Sequence, residues 1–417
     1  MSEVLDFVRP TKLFSFTDHM LVSGKSGSGK SNTCEFLATQ QVGKVKVIDV
    51  YDDGRHENFL YGLPEQSPKL IYKMLRYSDE QILPRTYQSE CFMIAGNRLQ
   101  YIKKLPANIQ VVSLDEDTLN ISDLYYLLGH SDSSRALLSQ LQFEQGDMSL
   151  RELLEFLEQP DDTLKKMGVH FMSKYSILRS IKRWIGSGMF SDDFPKLDIK
   201  KVLKDKKTIT SFSSYLLEEE SQKALFYGLL LKQVLDAKRW HQTKHRVLVY
   251  VREISNFVGS YSGAEWSMAQ KNLLSILREG RDVGVTLLAD TQRARDLHPS
   301  FRRQFGTIVQ MKADLADADT VREVVDVPQG IIRKIPKLKV GEGLVLSGSH
   351  YYYPCFFLPA RHMHKKPHLN IMRLLSNIHG TVDYSSLITR TSTNSDPPKI
   401  EVENPRARKK EEVKPEQ

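Results

Sequence analysis

Apolar positions along this chain switch between two patterns, and the switching predicts an α/β protein. Short continuous apolar runs occupy residues 20–22 (MLV), 45–50 (VKVIDV) and 109–113 (IQVVS). Later runs occupy 207–212 (KTITSF), 246–251 (RVLVYV), 283–290 (VGVTLLAD) and 306–311 (GTIVQM). Such runs are expected of strands covered on both sheet faces. Between them apolar residues recur at helical spacing. Residues 30–40 turn Phe36 and Leu37 inward, and 118–128 reads as a second helix. Ser149 and Glu152 form a capping box ahead of Leu150, Leu153, Leu154 and Leu157. Ile177, Leu178, Ile181, Trp184 and Ile185 line a helix over 174–185. Leu225, Phe226, Leu229, Leu230 and Val234 line another over 218–240, and 263–280 reads as a helix closed by Gly280. Strand, helix, strand in this order is a βαβ repeat, which implies a parallel sheet.

Breaks in the pattern suggest the domain organisation. Residues 1–17 are a lead-in, and Asp52-Asp53-Gly54-Arg55 stops the second strand. Pro64, Pro68 and Pro84 fragment the stretch 60–90. The expected division is a first part of the core over 1–113, a mostly helical insertion over 114–200, a second part of the core over 201–391 and a disordered charged tail over 392–417. Lys174, Arg179, Lys182 and Arg183 in the insertion read as a solvated face rather than a DNA contact.

The first strand runs into Gly24-Lys25-Ser26-Gly27-Ser28-Gly29-Lys30-Ser31, followed by Asn32. This is the P-loop pattern G-x-x-x-x-G-K-[ST]. Its glycines bring backbone N–H groups close to phosphate oxygens, and the helix that follows points its positive end at them. Lys30 is placed for the β- and γ-phosphates, and the Ser31 hydroxyl for Mg²⁺. ATP and Mg²⁺ are therefore the expected ligands.

Composition adds bounds rather than chemistry. The 417 residues carry a net charge of +8, with 40% hydrophobic and 26% charged residues. A basic balance permits a polyanionic partner without requiring one. Three scattered cysteines give neither a zinc ribbon nor a disulfide framework. The longest apolar run, 224–235, contains Lys232 and is too short to span a membrane, so the expected location is the cytoplasm.

Hydrolysis needs more than a P-loop. The strand 247–251 ends in Arg252-Glu253, where open α/β sheets bind ligands. Glu253 either polarises the attacking water or caps a surface loop. Residues 287–292 (LLADTQ) aim Gln292 at the same region, and Arg278 and Arg281 in LREGR either cap a helix or reach a neighbouring subunit as a finger.

In the order GKSGSGKS, VLVYVREISNF, ILREGRDVGVTLLADTQ, the chain resembles the HerA/FtsK superfamily of DNA-pumping ATPases. The piece TITSFSSYLLEEESQKALFYGLLLKQVL resembles the segment preceding that family's acidic strand. The resemblance implies a RecA-like P-loop NTPase core, a homohexamer with ATP at subunit interfaces, and double-stranded DNA passing through the pore without sequence readout. A nuclease, conjugation or packaging component is the kind of protein partner it implies. Lys30 and Ser31 carry over as phosphate and Mg²⁺ residues, Glu253 as the catalytic glutamate, Gln292 as the sensor, and Arg281, then Arg278, as the arginine finger.

One position departs from the family: the Asp before the catalytic Glu is Arg252 here, and arginine offers only donors. Three outcomes follow. Asp49 or Asp290 supplies the missing carboxylate; or Ser31 and the phosphates hold Mg²⁺ alone; or ATP binds without turnover. In the last case the protein is a nucleotide-dependent switch or assembly factor, and Arg252→Asp is expected to restore activity. A GTPase is disfavoured because Met311-Lys312-Ala313-Asp314 has Met where a guanine reader has an amide. A small-molecule kinase is disfavoured by the late Glu-then-Thr-Gln order. DNA contacts are expected from the loop 255–262, with Phe257 and Tyr261, and from Arg293, Arg295, Arg302 and Arg303.

Overall fold

The computed structural model describes residues 17–51, 87–101, 109–119, 121–128, 132–146, 148–166, 169–241, 243–258, 267–324 and 326–357. The lead-in through residue 16, the strand stop at Asp52–Arg55, the three prolines of 60–90, Tyr261 and the charged tail lie outside the described residues.

In chain order, β1 (Met20–Ser23) leads to α1 (Lys30–Thr39), β2 (Lys46–Tyr51), β3 (Ser89–Ile94) and β4 (Ile109–Val112). A helical stretch follows: α2 (Ile121–Leu128), α3 (Asp132–Gln145), α4 (Leu150–Leu157), α5 (Asp161–Lys166), α6 (Phe171–Ile185) and α7 (Ile199–Val202). The sheet then resumes with β5 (Ile209–Ser213), α8 (Glu220–Arg239), β6 (Val247–Val251), α9 (Met268–Val283) and β7 (Val285–Thr291). The last described elements are α10 (Pro299–Arg302), β8 (Thr307–Met311), α11 (Leu315–Asp319), α12 (Gln329–Ile332), β9 (Glu342–Ser347) and β10 (His350–Phe356).

The strands form a ten-stranded sheet in the order β10-β9-β8-β1-β7-β6-β2-β5-β3-β4. Strands β1 to β8 pair in parallel, and β9 and β10 close one side as an antiparallel hairpin. The α/β class expected from the pattern is what forms. Alternation within each strand divides the core between the two faces. Met20 and Val22 of β1 join Leu248, Tyr250 and Leu288 beneath α1, while Leu21 joins Val249, Val251, Leu287 and Ala289 on the opposite face with α8 and α9. Both faces are apolar, which is why these strands read as continuous runs.

The capping box at Ser149 forms in full, with Glu152 N–H donating to Ser149 Oγ at 3.2 Å and Ser149 N–H to Glu152 Oε2 at 2.7 Å. Two expectations need correction. Helix α9 does not stop at Gly280 but continues to Val283 and closes on Gly284, whose φ is 82°. Gly280 serves close packing instead, since a Cβ there would lie 2.6 Å from the Val285 carbonyl oxygen. Strands β3, β9 and β10 were not expected. Cys91-Phe92-Met93-Ile94 and Leu344-Val345-Leu346 are apolar runs as long as that of β1, but β3 follows the proline-broken stretch and β9 pairs antiparallel, outside the repeating strand–helix order. No helix among the described residues is long and apolar enough to cross a membrane.

Candidate functional site

The strand order places the carboxyl ends of β8, β1, β7 and β6 side by side, and the P-loop leaves β1 at that edge. Its conformation is set by its neighbours. Gly24 N–H donates to the Thr291 carbonyl at 3.2 Å and Lys25 N–H to the Lys312 carbonyl at 2.8 Å, tying the loop to the ends of β7 and β8. Gly341 N–H donates to the Ser28 carbonyl at 3.0 Å from the turn ahead of β9. A Cβ on Gly24 would lie 2.9 Å from Met311 Cβ and 3.1 Å from the Lys312 carbonyl oxygen, so this approach requires glycine.

Gly29 caps α1 in the left-handed region, φ 103°, and no acidic residue stands in the first helical turn. The positive end of α1 therefore meets no side-chain carboxylate of its own first turn. Lys25, Ser26 and Gly27 are exposed at the loop tip, Ser28 and Lys30 are buried, and Ser31 and Asn32 are half-buried. Lys30 Nζ lies 3.4 Å from the Lys25 carbonyl oxygen, within the curve of the loop. A glycine-lined turn, an ammonium inside it and a hydroxyl on the first helical turn fit a triphosphate with its divalent cation.

Glu253 faces this cradle. Its Oε1 lies 3.9 Å from Lys30 Nζ, and its Oε2 accepts from Gln292 N–H at 3.2 Å. Parallel pairing of β6 with β7 brings the two ends together. Burial raises the Glu253 carboxyl above the usual carboxylate range, the negative charge of Asp290 raises it further, and Lys30 pulls the other way. Gln292 thus meets Glu253 through its backbone at the mouth of the cradle, while its residue surface is exposed.

Arg252 points to the α1 side and is buried. Its Nε and Nη2 clamp Asp49 at 2.9 and 3.1 Å, and its Nη1 donates to Glu35 Oε1 at 2.9 Å. The guanidinium also sits over the Tyr250 ring, 4.7 Å from its centroid. Both Asp49 oxygens are engaged by Arg252, and Ser211 Oγ adds a third donor at 3.3 Å. Asp49 is therefore committed to Arg252 rather than turned toward the P-loop. Asp290 is buried between Tyr250, whose hydroxyl donates to Oδ2 at 2.7 Å, and the backbone N–H of Glu253, which donates to Oδ1 at 2.6 Å. Glu35 and Tyr250 were missed from sequence. An acid inside the apolar run Cys34-Glu35-Phe36-Leu37 and an arginine at the end of a core strand were the available signals that a buried pair exists.

The other arginines separate. Arg281 lies at the opposite, amino edge of the sheet, 3.5 Å from Asp18 and 46% exposed, far from the P-loop of its own chain. Arg278 is exposed on α9. Arg302 is buried and spends its guanidinium on the Ala294 and Leu297 carbonyls at 3.1 and 2.9 Å and on Glu323 at 2.8 Å, which removes it from the expected DNA contacts. Arg295 faces Asp317 at 3.6 Å, and Arg293 and Arg303 are exposed. Phe257 is likewise corrected: half-buried, its ring packs edge-on against Tyr227 at 4.9 Å, on the edge of the core. The three cysteines are buried free thiols.

No curated protein matches the chain by sequence. Among solved structures, VirB4 of Thermoanaerobacter pseudethanolicus is similar at 16% identity and TM-score 0.52, over 82% of this chain and 92% of that one. Plasmid coupling protein TrwB in complex with the ATP analogue ADPNP is similar at 14% identity and TM-score 0.53, over 87% and 95%. TrwB in complex with ADP and Mg²⁺ gives 13% and 0.50, over 83% and 88%. At these identities the likeness is one of fold. The family model described as helicase HerA, central domain, matches residues 11–234, more than half of the chain and the whole P-loop. With that match and the P-loop built as described, the chain belongs to the HerA central-domain family.

Proposed function

We propose that this protein is an ATP-driven motor that moves double-stranded DNA, working as a ring of identical subunits. The observation that carries the proposal is the approach of Glu253 to Lys30 across the P-loop mouth, 3.9 Å between Oε1 and Nζ. The loop N–H groups, the α1 terminus and Lys30 bind the phosphates, and the Ser31 hydroxyl holds Mg²⁺. Held by Ser31, Mg²⁺ would neutralise part of the phosphate charge. Glu253 takes the proton of the attacking water, and Gln292 holds the Glu253 carboxylate through its N–H. That TrwB is seen with ADPNP and with ADP and Mg²⁺ supports a nucleotide in this fold.

Arg281 sits at the edge of the sheet away from its own P-loop, so it acts as a finger only on a neighbouring subunit. This, with family membership, supports the ring, and a hexamer is the number we propose. The helical stretch between β4 and β5 is proposed as an insertion in the core. DNA contacts are assigned to backbone charge, for which Arg293 and Arg303 remain exposed.

The test is ATP hydrolysis with and without duplex DNA, beside a mass measurement of the assembly. DNA-stimulated hydrolysis that collapses in Glu253→Gln supports the motor; equal rates with and without DNA in a confirmed ring overturn it. A second reading is favoured by Arg252. With Asp49 clamped by that arginine, and Asp290 bonded to the Tyr250 hydroxyl and the Glu253 amide, neither stands in for the family's Asp on β6, and the protein is then a switch that binds ATP without turnover. Tight ATP binding with no hydrolysis under any DNA condition would select it.

A further inference from the structure

Glu253 is one of two non-glycine residues with positive φ among the described residues, at φ 46° and ψ 59°. A side chain in this left-handed region is strained, and the surrounding structure has to hold it there. Glu253 is held on three sides. Its carbonyl accepts from Asn256 N–H at 2.8 Å, its Oε2 accepts from Gln292 N–H at 3.2 Å, and its own N–H donates to Asp290 Oδ1 at 2.6 Å. The first contact belongs to the turn that Glu253 starts, and the second follows from where the carboxylate already points. The third comes from a different strand and acts on the backbone itself.

Asp290 is built for that contact. It is 2% exposed at the end of β7, one register step beyond the Val251–Ala289 pair. Its second oxygen is taken by the Tyr250 hydroxyl at 2.7 Å, which fixes the plane of the carboxylate. Tyr250 in turn lies beneath the Arg252 guanidinium. An isolated buried carboxylate would be costly to keep, and these two donors satisfy it. Each Asp290 oxygen meets one protein donor, and through Oδ1 the carboxylate is placed to act on the Glu253 backbone.

We propose that Asp290 is a positioning residue: its Oδ1 holds the Glu253 backbone in the left-handed conformation that aims the Glu253 carboxylate at Lys30 and the P-loop. Without that acceptor, Glu253 relaxes to an ordinary extended or helical φ, and its carboxylate swings away from the cradle. This assignment rests on the reading of Glu253 as the residue that activates water, but the conformational claim stands apart from it.

The test compares Asp290→Ala with Asp290→Asn in the full chain. Asparagine keeps a carbonyl acceptor for Glu253 N–H, and its amide can donate to the Tyr250 hydroxyl; alanine does neither. Hydrogen exchange is measured first, without nucleotide, on peptides covering residues 247–256. Loss of a hydrogen bond to a charged acceptor should speed exchange at the Glu253 amide by about tenfold or more in Asp290→Ala. Asp290→Asn should exchange like the unaltered protein. Steady-state kinetics follow. A misplaced base should lower kcat by about 100-fold in Asp290→Ala with KM for ATP held within a factor of about two, and asparagine should recover most of the loss. If the alanine variant does not fold, Tyr250→Phe with Asp290→Val replaces it, since that pair leaves no orphaned hydroxyl. Unchanged exchange at Glu253 in the alanine or paired variant overturns the proposal, as does an asparagine variant that behaves like alanine. If exchange responds as expected but Glu253→Gln hydrolyses ATP normally, the latch stands and the motor reading fails.

Discussion

Replacing Arg252 by methionine tests whether a buried cation holds the floor of the site together. The Arg252 side chain is 3% exposed, and those of Asp49 and Glu35 are fully buried. Three charge-assisted hydrogen bonds between 2.9 and 3.1 Å join them. Methionine fills much of the same volume but leaves two carboxylates buried without their cation. Breaking a buried pair in this way costs about 3–5 kcal/mol. The cost should depend on pH. Burial already raises the Asp49 carboxyl against the pull of Arg252, and without Arg252 it rises further. A group whose folded pKa exceeds its unfolded value contributes stability that is lost as pH rises through the folded value. The deficit of Arg252→Met should therefore be smaller near pH 5 than near pH 8. Urea unfolding followed by circular dichroism at both pH values reads it. The triple variant Arg252→Met, Asp49→Leu, Glu35→Met should recover most of the loss, because replacing all partners of a buried pair by apolar residues of similar volume is often close to neutral. A single variant within about 1 kcal/mol of the unaltered protein, or a triple variant no better than the single one, would refute the reasoning. The same geometry revises an expectation from sequence. Arg252→Asp was expected to restore a family carboxylate, but it places a third acid against Asp49 and Glu35 and should destabilise more than methionine does.

Two further outcomes follow. The acid limb of the pH–rate profile should lie above the usual carboxylate range, because burial and then Asp290 raise the Glu253 carboxyl, and activity is lost as Glu253 protonates; Asp290→Asn should move that limb to lower pH. His19 is buried, accepts from Leu287 N–H at 3.0 Å through Nδ1, and has its pKa lowered to about 4 by burial and then by Arg281. It is neutral when folded and charges on unfolding, so it should cost about 2 kcal/mol of stability between pH 7 and pH 5. His19→Asn keeps an acceptor for Leu287 and should remove that increment from the pH dependence of the urea midpoint; an unchanged slope would show that His19 does not titrate on unfolding.

The sequence by itself determined the P-loop, the parallel-sheet class and the two strand ends that flank the site. These rest on local rules: glycine where backbone must approach phosphate, continuous apolar runs where both faces are covered, acids and amides at strand ends. Gly24, Lys30 and Ser31 were legible for that reason, and so was Glu253 as a candidate, because its strand VLVYV announces a core position. Only the tertiary structure decided what each polar group does. Asp49 and Arg252 lie 203 positions apart in the chain yet form a bidentate pair, because β2 and β6 are neighbours in the sheet. Asp290 and Glu253 meet because β7 lies beside β6, Arg302 turns inward to the Ala294 and Leu297 carbonyls, and Phe257 packs on Tyr227 of α8. Pairing of buried charges is a property of which strands adjoin, and strand order is set by how the whole sheet packs.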